Sequence, residues 1–129
     1  MNTKSIGELS EAILLGRLLK RFVSVSIPFG NNQRYDLIVD DGKHLLKVQC
    51  KTGILKNRVV SFRVCNHAGG HDRKDYKGQI DYFAVYCPQI EKSYLVSVDA
   101  VGRNSASLRT GTTKNGQHKG IRSAKDFEL

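Results

Sequence analysis

Tryptophan is absent from this chain; proline occurs twice, methionine once and cysteine three times. Cys50, Cys65 and Cys87 are odd in number and irregular in spacing, which excludes a disulfide framework and predicts a reducing, cytoplasmic setting. Long hydrophobic runs are missing too. The longest, AILLG, is far too short to cross a bilayer, and the polar start MNTKSIGELSE predicts no secretory signal. Without repeats, low-complexity tracts or linkers, 129 residues predict a single domain, 1–129. Acidic residues are scarce. Twelve Asp and Glu stand against 21 Lys and Arg, a formal net charge of +9. Such an excess either keeps the surface soluble or serves a polyanionic partner, nucleic acid or an anionic membrane surface.

What is present has a clear order. SIGELSEAILLGRLLKRF has helical spacing, with Ser5 predicted as N-cap and Glu8 completing a capping box. Leu14, Leu15, Leu18 and Phe22 fall on one stripe, with Glu11 near its middle. A carboxylate on a core-facing stripe needs a partner, because burying its charge alone is costly. Strands are predicted in VSVSIPF, stopped by Pro28, in VVSFRV, and in IDYFAVYC and KSYLVSV joined across PQIE. RYDLIVDDGKHLLKVQCKTG reads as a hairpin turning at Asp41-Gly42 in a two-residue type I′ turn. HAGGHDRKDYKGQ reads as a long basic loop, and the tail from Gly102 is poorly patterned until GIRSAKDFEL. One helix followed by several strands predicts an α/β (α+β) fold built on a mixed sheet.

In the hairpin, a two-residue turn sets Asp36 opposite Lys47. Gln49 and Lys51 then lie diagonal to Asp36, on the same face. Ile38 and Leu45 share that face, while Leu37, Leu46, Val48 and Cys50 take the other. Both faces look covered, as in a sheet flanked by helices. The polar set is either a solvated strand face or a functional cluster at the end of a buried sheet. As a cluster, the Glu11 and Asp36 carboxylates, the Gln49 amide and a backbone carbonyl, at Cys50, offer oxygen ligands suited to Mg²⁺. Lys51 would orient or deprotonate a water, or stabilise charge on a phosphate. A second metal candidate, Cys65, His67 and His71 in CNHAGGH, has C-x-H-x3-H spacing and lacks a fourth ligand.

These residues resemble the PD-(D/E)XK nuclease superfamily, in which an acid and an acid-x-Lys pair occupy adjoining strands behind a helical Glu. Asp36 matches the first acid, Lys51 the lysine and Glu11 the helix acid, with Gly7 four residues earlier. Gln49 stands where Asp or Glu is usual, and Tyr35 where proline is common. NNQRYDLIVDDG, KVQCKTG, GQIDYFAVYC and KGIRSAKDFEL are similar to small nucleases encoded in bacterial group I introns, where the QxK variant occurs.

The resemblance implies a restriction-endonuclease-like core with Glu11, Asp36, Gln49 and Lys51 as catalytic residues. It implies Mg²⁺, with Mn²⁺ as a substitute, at Glu11, Asp36, Gln49 and Cys50, activating a water that hydrolyses double-stranded DNA at a long homing site. A junction-resolving or repair nuclease of the same fold, and an inactive nucleic-acid-binding module, remain as alternatives. DNA contacts are expected from Arg34, Arg58, Arg63, Asn66, His67, His71, Arg73, Lys74 and Lys77. The loop at about 66–79 and the tail at about 102–129, with Arg103, Arg109, Lys114, Lys119 and Arg122, are candidate DNA or interface elements. Neither a membrane nor a small-molecule cofactor is expected. One site per chain predicts a homo-oligomer, a dimer or a dimer of dimers.

Overall fold

A computed structural model describes residues 1–68, 72–76, 78–102, 105–111 and 122–129, with the backbone alone for 65–68 and 72–75. The chain opens with helix α1 (Thr3–Arg21). Its cap is Asn2 and not Ser5: the Asn2 side chain accepts the Ser5 backbone N–H at 2.9 Å. Asn caps as well as Ser and adds most of a turn, so the expected capping box gives way. The buried stripe is centred on Ser10, Leu14 and Leu18, one helical turn apart. Glu11 lies at its half-buried border, not near its middle.

A five-stranded sheet runs in the order β1 (Ser24–Ser26), β2 (Leu37–Asp40), β3 (Leu45–Thr52), β8 (Tyr82–Cys87), β9 (Lys92–Ser97). All its pairings are antiparallel except β3 with β8, which is parallel. Parallel neighbours need a long crossover, and residues 53–81 supply it with β4 (Ile54–Lys56), β5 (Val59–Arg63), β6 (Cys65–Ala68) and β7 (Asp72–Asp75). β4 and β5 join β10 (Ser105–Arg109) in a three-stranded sheet ordered β10-β5-β4. β6 and β7 pair with each other, so much of the stretch read as a loop is a two-stranded ribbon.

Two cores result. On one face, Leu14 and Leu18 of α1 pack with Leu37, Val39, Val48, Ala84 and Tyr86. On the other, Phe83, Val85, Tyr94 and Val96 meet Val60, Phe62, Ala106 and Leu108 of the smaller sheet. Both faces are covered, one by the helix and one by this sheet. Each fully buried Leu or Phe contributes roughly 2 kcal/mol relative to exposure. Gly53 lets the two sheets approach: a Cβ there would stand 2.7 Å from Val60 Cγ1 and 3.0 Å from Val85 Cγ1. The last residues fold back on β9, where the Leu129 N–H donates to the Ser93 carbonyl at 2.8 Å and Lys92 pairs with Glu128 at 2.7 Å. Among the described residues, no helix is long and apolar enough to cross a membrane.

The β2–β3 register departs from expectation. Asp40 faces Leu45 and Leu37 faces Val48, so the loop has four residues, 41–44, instead of two. The Asp41 side chain is the cause: its Oδ1 accepts the N–H groups of Lys43 at 2.8 Å and His44 at 2.6 Å. Gly42, at φ +95, turns the chain where an L side chain would be strained. These bonds hold the Asp41 carboxyl below its ordinary pKa. A shift of two residues keeps every side chain on its expected face. It also brings Gln49, not Lys47, opposite Asp36, whose N–H donates to the Val48 carbonyl at 2.8 Å.

Candidate active site

Asp36 stands just before β2, half-buried, and its Oδ2 accepts the Cys50 backbone N–H at 2.9 Å. Its carboxyl lies above the usual carboxylate range because burial disfavours the charge, which the Cys50 N–H and the Lys51 ammonium only partly offset. Glu11 is raised as well, first by burial, then by the negative charge of Asp36 and of Glu8. The Cys50 thiol is pushed far up, by burial and then by Asp36 and Glu11. Three side chains predicted as a site, Glu11, Asp36 and Lys51, and the residue Cys50 between them therefore share one electrostatic neighbourhood.

Burial and the two carboxylates disfavour a Cys50 thiolate, while its backbone N–H is already committed to Asp36 and its carbonyl is the oxygen it can offer. Gln49 is half-buried, and among the described residues its amide has no hydrogen-bond partner. No three His, Cys, Asp or Glu side chains among the described residues converge as a metal cage. Two partly desolvated carboxylates above their normal pKa nevertheless favour a proton or a cation beside them. With neutral oxygens from Gln49 and the chain at Cys50, that donor set fits a hard divalent ion.

The site is braced from behind. Ser10, directly before Glu11, is buried at 2% exposure. Its hydroxyl donates to the Ile6 carbonyl at 2.9 Å and lies 2.7 Å from the hydroxyl of Thr52, directly after Lys51. Since a serine has one proton, Thr52 donates to Ser10. This short chain fixes the helix bearing Glu11 against the strand bearing Lys51.

Tyr76 went unnoticed in the sequence. It is buried at 4% exposure just past β7, with its hydroxyl 3.4 Å from the Lys51 ammonium and its ring 5.0 Å from it. The Arg34 guanidinium lies 4.0 Å from the same ring centroid. The one signal available was a lone aromatic inside the polar stretch HDRKDYKGQ. Arg34, expected to contact DNA, is thus half-buried and stacked beside the lysine.

The other expected DNA contacts are spread out. Arg58 is exposed in the β4–β5 turn, where Asn57 and Arg58 have φ of 53 and 63, and Arg63 is exposed at the end of β5. On the ribbon backbone, Asn66 pairs with Lys74 and His67 with Arg73. His71 and Lys77 lie outside the described residues, so the Cys65, His67 and His71 metal candidate falls partly outside them too. In the tail, Arg109 is half-buried in β10 and Arg122 is exposed, while Arg103, Lys114 and Lys119 lie outside the described residues.

The fold is similar to that of a bacterial homing endonuclease, I-Ssp6803I, at a TM-score of 0.77 and 23% identity, over 99% of this chain and 89% of that one. No curated protein sequence matches. The PD-(D/E)XK endonuclease family matches across residues 1–129, which include the helical acid, the strand acid and the lysine described above. By that match over its whole length, the chain belongs to the PD-(D/E)XK endonuclease family.

Proposed function

We propose that this protein is a Mg²⁺-dependent, site-specific endonuclease of the homing type, cutting both strands of double-stranded DNA. What supports the reading is Asp36, whose Oδ2 accepts the Cys50 N–H at 2.9 Å and which interacts electrostatically with both Glu11 and Lys51. Family membership makes it a nuclease; divalent-ion dependence is general in that family. Glu11, Asp36, Gln49 and the Cys50 carbonyl would hold a divalent ion, which would supply Lewis-acid charge and lower the pKa of nearby water. Lys51 places a positive charge where negative charge builds on the scissile phosphate. Gln49 would take part with an amide oxygen, so the site would hold its ion with one negative charge fewer than an acidic residue would provide.

Affinity for DNA comes from the net charge of +9, as salt-sensitive phosphate contacts. The β6–β7 ribbon, with Asn66, Arg73 and Lys74, is the element best shaped to enter a groove. Each chain carries one such site, so cutting two strands takes at least two copies, in a symmetric homo-oligomer.

The test uses wild type and Lys51→Ala on a pooled library of supercoiled plasmids carrying long random inserts, with Mg²⁺, Mn²⁺ or EDTA. Linearisation of a few inserts by wild type alone, with either metal, supports the reading and yields the target. DNA binding unchanged by metal, with no cleavage, would replace it with an inactive binding module. Cleavage only of branched DNA would make it a junction-resolving enzyme.

A further inference from the structure

We propose that Tyr76 is a positioning residue for Lys51, holding the lysine ammonium at the acidic cluster through its ring and hydroxyl. This rests on the nuclease reading for its catalytic consequence, and on geometry alone for the contact. A lysine carries a flexible four-carbon stem, so a catalytic lysine needs something to limit its rotamers. Lys51 has two contacts of this kind on one residue. Its Nζ donates to the Tyr76 hydroxyl at 3.4 Å and lies 5.0 Å from the ring centroid, within cation–π range.

The clamp is itself held. The Tyr76 ring meets Phe83 edge-on at 5.4 Å and 86°, and Phe83 in turn packs on Phe62 at 5.7 Å. Its carbonyl accepts the N–H groups of Gln79 at 3.0 Å and Ile80 at 3.2 Å, which fixes the backbone as well. Apolar packing explains the ring's burial but not why a hydroxyl faces an ammonium. The same ring carries Arg34 at 4.0 Å, so two cations share one aromatic surface. Asp36, two residues after Arg34, attracts the Lys51 ammonium electrostatically. Because Tyr76 immediately follows β7, it also sets where the ribbon leaves the core.

The test has two arms. In the first, the ε-methylene signal of Lys51, identified by its loss in Lys51→Ala, is read by NMR in wild type, Tyr76→Phe and Tyr76→Leu. An NOE joins this signal to the Tyr76 ring protons in wild type; it persists to the ring in Tyr76→Phe and is lost in Tyr76→Leu. Its absence in wild type overturns the proposal, and that reading needs no variant to fold. In the second arm, DNA cleavage and DNA binding are measured on the same proteins. Tyr76→Leu lowers kcat by on the order of tenfold to a hundredfold with binding unchanged, and Tyr76→Phe restores most of the rate. Equal loss of kcat and of binding in Tyr76→Leu would assign Tyr76 a structural role only and overturn the proposal. If wild type cleaves no DNA, the nuclease reading fails, and the NMR arm still decides the contact.

Discussion

The bridge from Thr52 through Ser10 to Ile6 permits a quantitative test of how the site is braced. Ser10→Ala removes the acceptor 2.7 Å from the Thr52 hydroxyl and leaves that half-buried group without a partner. The Ile6 carbonyl keeps its helical bond, so the loss concentrates on Thr52. A stranded hydroxyl of this kind costs about 1–2 kcal/mol. Thr52→Val removes the other end of the same bond and costs about 1 kcal/mol, since Ser10 still donates to Ile6. The double variant has no stranded group, so its loss falls short of the sum by about 1 kcal/mol. Urea unfolding at one fixed protein concentration measures all four proteins, and the slopes must agree for the comparison to hold. In thermal melts, each kcal/mol moves the midpoint by roughly 3–5 °C for a chain of this size. Losses that add to within about 0.3 kcal/mol would refute the bridge.

Asp36→Asn tests the electrostatics. Both carboxyls lie above their ordinary pKa, so the folded state binds protons more readily than the unfolded one. The stability they contribute is present in acid and lost as pH rises through their folded values. Without divalent ions, the variant is therefore more stable than wild type at pH 8 and no more stable at pH 4. Melts at the two pH values check this; an equal gain at both would contradict it. Gly53→Ala forces a methyl against Val60 and Val85, which costs about 1–3 kcal/mol by overpacking; an unchanged urea midpoint would show that the sheets can give way. Cys50 resists iodoacetamide in the native protein at pH 8, because burial and the charges of Asp36 and Glu11 keep the thiol protonated. Peptide mapping should find it alkylated quickly only in denaturant.

The candidate site was assembled correctly from sequence as a set of residues on one strand face because the error in its register was even. Reading Asp41-Gly42 as a two-residue turn misplaced every partner by two, yet alternation puts residues two apart on the same face. What stayed hidden was the chemistry of the turn. Asp41 captures the N–H groups of two following residues, and no hydrophobic pattern records that. The helical acid was visible as a charge on an apolar stripe, although Asn2 displaced Ser5 as cap. The β6–β7 ribbon was read as a loop because strands are recognised by apolar alternation, and NHAGGHDRKD has none. β4 and β10 are short and lie beside a turn or within the Gly-rich tail. Tyr76 meets Lys51 across 25 positions of sequence, so only the fold brings them together.

The parallel pairing of β3 with β8 bears on when the enzyme is assembled. Lys51 is aligned with Val85, and the intervening residues 53–81 include Tyr76. The β2–β3 and β8–β9 hairpins are local and close early, whereas the β3–β8 seam must wait for the whole crossover to be laid down. A nascent chain that has made Glu11, Asp36 and Lys51 thus carries the candidate site's charged groups before it has the frame that aligns them. On the proposed function, competence for cutting is delayed until the late strand docks, and a ribosome-bound fragment ending before residue 82 holds the candidate site residues without the frame that aligns them.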